Sequence, residues 1–313
     1  MTSTATPVLE TKAGRYRWHE NWAKIPAPTS TGNINGRTHG VVVSQSGAVY
    51  IFHQAVPAVL VYSPEGKLME SWGDYSGAHG LTLVKENNAE FLWLADQDKK
   101  LVQKLSLDGK VVQELSKPAY AHEPKASYVP TWVAVNERRH GGNGDIWLAD
   151  GYGSSRVSRY DSKGNYLLTL DGSTGAGDFK CPHGIAFDPR KTDPELYVAD
   201  RGNHRVQVYD SEGKFKRVFG SEFLTSPDGF TFFQDQLIIP ELNGRITILD
   251  GQDRLMDHLG SNEKVCSEPG WPDKTLLEPG KFNSPHGAAA DAQGNIFIVE
   301  WRIGGRIIKL EKL

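Results

Sequence analysis

The chain is predicted to be all-β, a six-bladed β-propeller closed by an N-terminal strand. Three observations predict this. A unit of roughly 40–45 residues recurs six times along the chain. Each copy holds short runs of β-branched and aromatic residues, separated by Gly-, Asp- and Asn-rich turns. No long helical period interrupts them. Repeats of this length with four strands each read as propeller blades.

The copies begin near Thr38, Ala78, Val129, Cys181, Ser226 and Ser284. Their strongest strand signals are AVYIFH, EFLWLAD, DIWLAD, ELYVAD, QLIIPE and GNIFIVE, ending at His53, Asp96, Asp150, Asp200, Glu241 and Glu300. The next strand closes in a glycine turn in four copies: SPEGK, SLDGK, DSKGN and DSEGK. There Gly supplies the positive φ that a hairpin turn requires. The last copy stops at Leu313 after its third strand. Residues 16–25 are expected to supply the missing outer strand and close the ring. Residues 1–313 therefore read as one domain, with residues 1–15 as a flexible N-terminal segment. The insertion at 260–280 is expected to cap one mouth of the channel.

Composition narrows the function. Among 313 residues, 35 are Lys or Arg and 38 are Asp or Glu, a net charge of −3. A nucleic-acid or anionic-membrane binder would carry a basic excess. No apolar run reaches the roughly 18 residues of a membrane span. The first twenty residues lack a basic cap and apolar core, so a cytoplasmic location is expected. The two cysteines, Cys181 and Cys266, cannot make a disulfide framework.

The chemistry gathers where each copy opens. Aligned across the six copies, that position reads His39, His79, Thr131, His183, Asp228 and His286. The second, fourth and sixth are all His. Alternate blades lie about 120° apart in a six-fold ring. Three imidazoles pointing inward at that spacing form a facial three-nitrogen site, which suits a catalytic Zn2+ with a position left for substrate. His79, His183 and His286 are the expected metal ligands. The bland reading is that Pro-His-Gly is a blade-opening turn whose His packs on a neighbour. Repetition on alternate blades favours the metal. His39 breaks the alternation and reads as a support for the ligands, a substrate contact or a structural residue.

The turns after the second strands also approach the rim. Their recurring acids and the recurring Arg156, Arg205, Arg245 and Arg306 read as scaffold. Singular residues are more informative. Tyr152, Arg201 and Arg37 have no repeat equivalents and are the catalytic candidates. His39, His53, Trp132, Trp301 and Arg302 are the substrate-contact candidates, although the tryptophans fit packing roles as well. The expected partner is a small anionic or polyhydroxylated molecule, with no nucleic acid and no membrane, on a monomer or weak oligomer.

The blade grammar resembles the NHL-repeat family over nearly the whole chain. The segments AHGLTL, DGYGSSRV, PHGIAFD, ADRGNHRVQ and PHGAAAD together resemble the peptidyl-hydroxyglycine α-amidating lyases, six-bladed zinc propellers. The resemblance implies zinc on His79, His183 and His286, a catalytic Tyr at Tyr152, and active-site Arg at Arg201 and Arg37. It also implies cleavage of a carbinolamide into an amide and glyoxylate, with Tyr152 taking the hydroxyl proton. Three departures stand out. Gly287 replaces an Asp that helps hold structural Ca2+ in animal members, which counts against Ca2+ here. Gly153 follows Tyr152 where those members carry a disulfide. A copper monooxygenase domain to make the hydroxyglycine is not expected beside this propeller. Peptide amidation is therefore not the expected role, and a lyase acting on a carbinolamide-like, hemiaminal-like or sugar-derived substrate is. A zinc hydrolase of lactones, esters or glycosides is the alternative, and a non-catalytic binding propeller the third reading.

Overall fold

The computed structural model describes residues 6–20, 22–27, 36–262, 265, 271–274 and 276–313. They form six antiparallel sheets arranged as the blades of a propeller. Blade one contains β3 (Thr38–Val43), β4 (Val49–His53), β5 (Val59–Tyr62) and β6 (Leu68–Trp72). Blade two contains β7 (Ala78–Glu86), β8 (Ala89–Asp96), β9 (Leu101–Ser106) and β10 (Val111–Glu114). Blade three contains β11 (Trp132–Val135), β12 (Ile146–Asp150), β13 (Arg156–Tyr160) and β14 (Tyr166–Leu170). Blade four contains β15 (Pro182–Phe187), β16 (Glu195–Asp200), β17 (Arg205–Asp210) and β18 (Phe215–Phe219). Blade five contains β19 (Thr231–Phe233), β20 (Gln236–Glu241), β21 (Arg245–Leu249) and β22 (Leu255–Leu259).

Blade six joins the two ends of the chain. It pairs β23 (Pro285–Ala290), β24 (Ile296–Glu300) and β25 (Arg306–Lys312) with β2 (Gly14–His19), and β1 (Val8–Thr11) adds a fifth strand outside β2. The register sets Tyr16 opposite Lys312 and Trp18 opposite Leu310. The closing strand is therefore shorter and earlier than the 16–25 stretch expected from sequence. Within the stretch 1–15, the backbone of Val8–Thr11 pairs with β2. The reason is apolar anchoring: Tyr16 and Trp18 are buried, and Trp18 packs on Phe282 at 4.8 Å.

Period-two alternation fills the space between blades, because each sheet is covered on both faces. Leu92 and Leu94 point into one apolar cluster with Tyr50 and Phe52 of blade one. Trp93 and Ala95, between and beside them, point into the next cluster with Val133 and Ile146 of blade three. The ring closes where Phe297 and Val299 of blade six meet Val41, Val49 and Ile51 of blade one. The hairpin glycines Gly66, Gly109, Gly164 and Gly213 all have φ between 85 and 88°.

The recurring acids are scaffold, as read. Asp150 accepts from Val129 N, Ser154 N and Tyr120 Oη. Glu300 accepts from Asn283 N, Ser284 N and Arg306. Arg205 and Arg245 likewise pair with Asp200 and Glu241, at 2.7 Å each. These bonds tie each rim turn to the blade-opening segment and so fix where the inner strand begins. Among the described residues, no helix is long and apolar enough to cross a membrane. Cys266 and most of the turn around it lie outside the described residues.

Candidate functional site

The start of each inner strand faces the axis, so the aligned register residues converge. His39, His79, His183 and His286 are at most 1% exposed. The ring centroids of His79, His183 and His286 stand 4.7, 4.8 and 4.8 Å apart, a near-equilateral triangle.

The His-Gly dipeptide sets their orientation. Nδ1 of His79 donates to Thr131 O at 2.8 Å, that of His183 to Asp228 O at 2.7 Å, and that of His286 to His39 O at 3.1 Å. Each acceptor is the carbonyl of the register residue one blade further on. A carbonyl can only accept, so each Nδ1 carries the hydrogen and each Nε2 keeps a lone pair. The following glycine makes room for that carbonyl. A Cβ on Gly80, Gly184 or Gly287 would lie 2.3, 2.2 or 2.4 Å from the same three oxygens.

The Nε2 atoms form an acceptor-rich cluster. Those of His79 and His183 are 3.2 Å apart. Tyr152 Oη lies 3.2 Å from the first and 3.0 Å from the second, but its single hydrogen can serve only one. Among the described residues, Nε2 of His286 has no hydrogen-bond partner. Burial depresses all three imidazoles, His79 to about 3 and the other two well below their ordinary value, so they are neutral near pH 7. Three inward lone pairs, each backed by an Nδ1–H bond to a carbonyl, are the donor set of a divalent transition metal. The residues present therefore fit such an ion. Two overlapping sets of donor atoms lie within 4.8 Å of one another: His39, His79 and His286, and His183, Asp228 and His286.

Tyr152 reaches the cluster from the rim turn between β12 and β13. The turn presses close because its neighbours lack side chains: a Cβ on Gly153 would meet Asp150 Oδ1 at 2.1 Å, and one on Gly151 would meet Pro182 O at 2.7 Å. The residue is 38% exposed although its hydroxyl touches buried histidines. Burial of that hydroxyl pushes the phenol up to about 12, with Arg201 pulling the other way. The Arg201 guanidinium sits 5.3 Å from the Tyr152 ring centroid. It donates to Asp228 Oδ1 at 2.8 Å and to Cys181 Sγ at 3.3 Å.

Asp228 was legible only as a register position, with no role assigned. It is fully buried, and its Oδ2 has no partner. Burial pushes its carboxyl up to about 7 against the pull of Arg201. The signal that could have found it is its place in a register otherwise held by His and Thr.

The remaining candidates separate. His39 joins the cluster, its ring 4.9 Å from His79 and 4.5 Å from His286. Arg37 lies at the rim in a two-pronged pair with Asp273, at 2.6 and 3.2 Å. Its guanidinium stacks 4.1 Å over Trp301, which places Trp301 at the same rim. Arg302 is half-buried, and among the described residues its Nη1 has no hydrogen-bond partner. His53 stands apart from the cluster, bonded within its own turn. It is buried and its Nε2 bonds Pro57 O at 2.5 Å.

Trp132, at the blade-opening position, forms a floor beneath the histidines. It stands where the other blades have Gly40, Gly80, Gly184, Gly229 and Gly287, and its indole fills the axial space they leave. Its ring lies 6.2 to 6.3 Å from those of His79, His183 and His286. It also lines a channel of ≈ 270 Å³ that continues along the inner strands past Val41, Leu81, Ile185, Phe230 and Ala288. The insertion reaches the rim through Asp273 and through Trp271, which bonds Asn283 O.

Fold and site together define a six-bladed propeller with a histidine-lined axial centre. Residues 179–209 match the NHL repeat family. The match is confined to that one stretch, and the chain resembles NHL-repeat and amidating-lyase propellers. It is 28% identical over 250 residues to human NHL repeat-containing protein 3, covering 73% of this chain and 67% of that protein. It is 27% identical over 206 residues to the probable peptidyl-α-hydroxyglycine α-amidating lyase of Caenorhabditis elegans, covering 56% of each. The chain thus spans about half the length of that lyase. A gluconolactonase structure from Xanthomonas campestris shares the fold at 15% identity and a TM-score of 0.69, over 99% of this chain and 96% of that one.

Proposed function

We propose that this propeller is a metal-dependent lyase, cleaving a C–N or C–O bond of a small hydroxylated, anionic substrate at the axial site. The observation that carries the reading is the placement of Tyr152 Oη at 3.0 and 3.2 Å from two inward Nε2 atoms. A proton-transfer group and the metal donors then face one point. The relationship to a named amidating lyase supports the same reading.

His79, His183 and His286 would hold the ion, for which zinc is our assignment because three neutral nitrogens leave it Lewis acidic. When bound, it would supply positive charge that polarises a substrate oxygen and favours ionisation of a neighbouring hydroxyl. The chain's own residues do the rest. Tyr152, as phenolate, accepts the substrate hydroxyl proton at Oη. As that oxygen becomes a carbonyl, the C–N or C–O bond breaks with its electron pair going to the departing N or O, which takes the proton from Tyr152. Arg201, held by Asp228, stands over the Tyr152 ring, favours phenolate and binds a substrate carboxylate. Arg37 offers a second guanidinium at the rim. Trp132 closes the floor and keeps substrate on the Tyr152 side.

Elemental analysis of protein purified without added metal tests the centre, beside the His79→Ala, His183→Ala, His286→Ala triple variant. About one zinc per chain, absent from the variant, is expected, with turnover of model carbinolamides by wild type. Wild type that neither carries nor binds zinc would overturn the reading. Metal binding with lactone or ester turnover, and none on carbinolamides, would replace the lyase with a hydrolase.

A further inference from the structure

We infer that His39 supplies a fourth nitrogen to the axial ion, making a four-histidine centre. The inference rests on the reading that the axis holds a divalent metal ion. His39 is 1% exposed, and its ring edges toward both His79 and His286. One nitrogen of each of these three residues lies within 4.8 Å of the others.

A structural role at this register has a different appearance. Thr131, the register residue of blade three, spends its hydroxyl on His183 O at 2.7 Å. The three alternate-blade histidines bond the next blade's carbonyl at 2.7 to 3.1 Å. His39 does neither. Among the described residues its hydrogen bond goes to Arg37 O, two residues back on its own segment, at 3.3 Å. That weaker tether leaves the ring able to turn its other nitrogen toward the ion. An ordinary turn residue gains nothing from burying an imidazole among three others, since each polar ring must leave water.

The consequence is a change in coordination. Four protein nitrogens fill the tetrahedron that zinc prefers. Substrate must then enter as a fifth ligand or displace His39, and ions that accept five or six ligands fit as well.

Co2+ is the probe, titrated into metal-free wild type, His39→Ala and His39→Phe, with His183→Ala to show that the signal is axial. Thermal melts check each fold, and the Phe variant keeps the ring volume if Ala disturbs the strand. Both variants are expected to bind Co2+ at least about 10-fold more weakly than wild type. Their visible bands should change in shape and intensity as a nitrogen is lost. Affinity and spectrum matching wild type would overturn the role of His39 while leaving the three-histidine centre intact. Wild type that binds no Co2+ would overturn the axial-metal reading itself.

Discussion

Gly184→Ala adds one methyl group where the blade-four strand meets blade five, and the structure gives its cost. The new Cβ would stand 2.2 Å from Asp228 O and 2.7 Å from Gly229 Cα. Both are backbone atoms, so no side chain can swing aside, and the blades must part by about 1 Å. Overpacking of this kind costs about 1–3 kcal/mol. The His183 Nδ1 bond to Asp228 O would stretch with it, a further ~1 kcal/mol. A total of about 2–4 kcal/mol lowers Tm by roughly 3–6 °C in a domain of this size. Metal affinity should fall about 10–100-fold, because that bond fixes the imidazole's orientation. Calorimetry and zinc titration with a competing chelator read the two effects. Gly229→Ala is the control, since its Cβ would meet the Trp132 indole at 3.3 Å and no carbonyl. It should cost less and leave affinity near wild type. Unchanged Tm and affinity in Gly184→Ala would refute the argument that the His-Gly pair orients the ligand.

Tyr152→Phe should retain metal and lose turnover by at least about 100-fold, as expected for removal of a proton-transfer group. Steady-state rates beside metal content check it, and retained activity would exclude Tyr152 as the base. Asp273→Asn should lower KM for an anionic substrate several-fold, because Asp273 pairs with the Arg37 guanidinium at 2.6 Å. Inhibition by oxalate measures the same effect, and an unchanged constant would remove Arg37 from substrate binding. Burial pushes the Glu241 carboxyl up, but bonds from Arg245 and Thr247 outweigh it, leaving the group below its ordinary 4.5. Its contribution to stability is therefore present above pH 4.5 and lost as pH falls through the folded value. Glu241→Gln should destabilise the protein by about 3 kcal/mol at pH 7. Its urea midpoint should also fall less steeply than that of wild type between pH 4.5 and 3, and parallel curves would refute the linkage.

The histidine triple was legible because a repeat turns sequence position into angular position. Once the blades are counted, His79, His183 and His286 must face one axis. Tyr152, Arg201 and Arg37 stood out by having no repeat equivalents, and the first two do meet at the cluster. His53 ends a second strand where other copies place an acid, and the repeat does not say whether such a residue turns toward the rim or into its own loop, where it bonds Pro57 O. Trp132 lies one step past the histidine position, where a side chain fills the axis beneath the rings, a depth that the repeat alignment alone does not give.

By itself, the sequence determined the all-β class, the six blades, the closure by the N-terminal segment and the three inward histidines. These follow from periodicity, which is a one-dimensional property. Only the tertiary structure decided which imidazole nitrogen faces the axis, since that depends on a carbonyl one blade away. It alone paired Asp228 with Arg201 and Asp273 with Arg37, residues 27 and 236 positions apart. It alone brought His39 against His286 across 247 positions, because closing the ring makes the first and last blades neighbours.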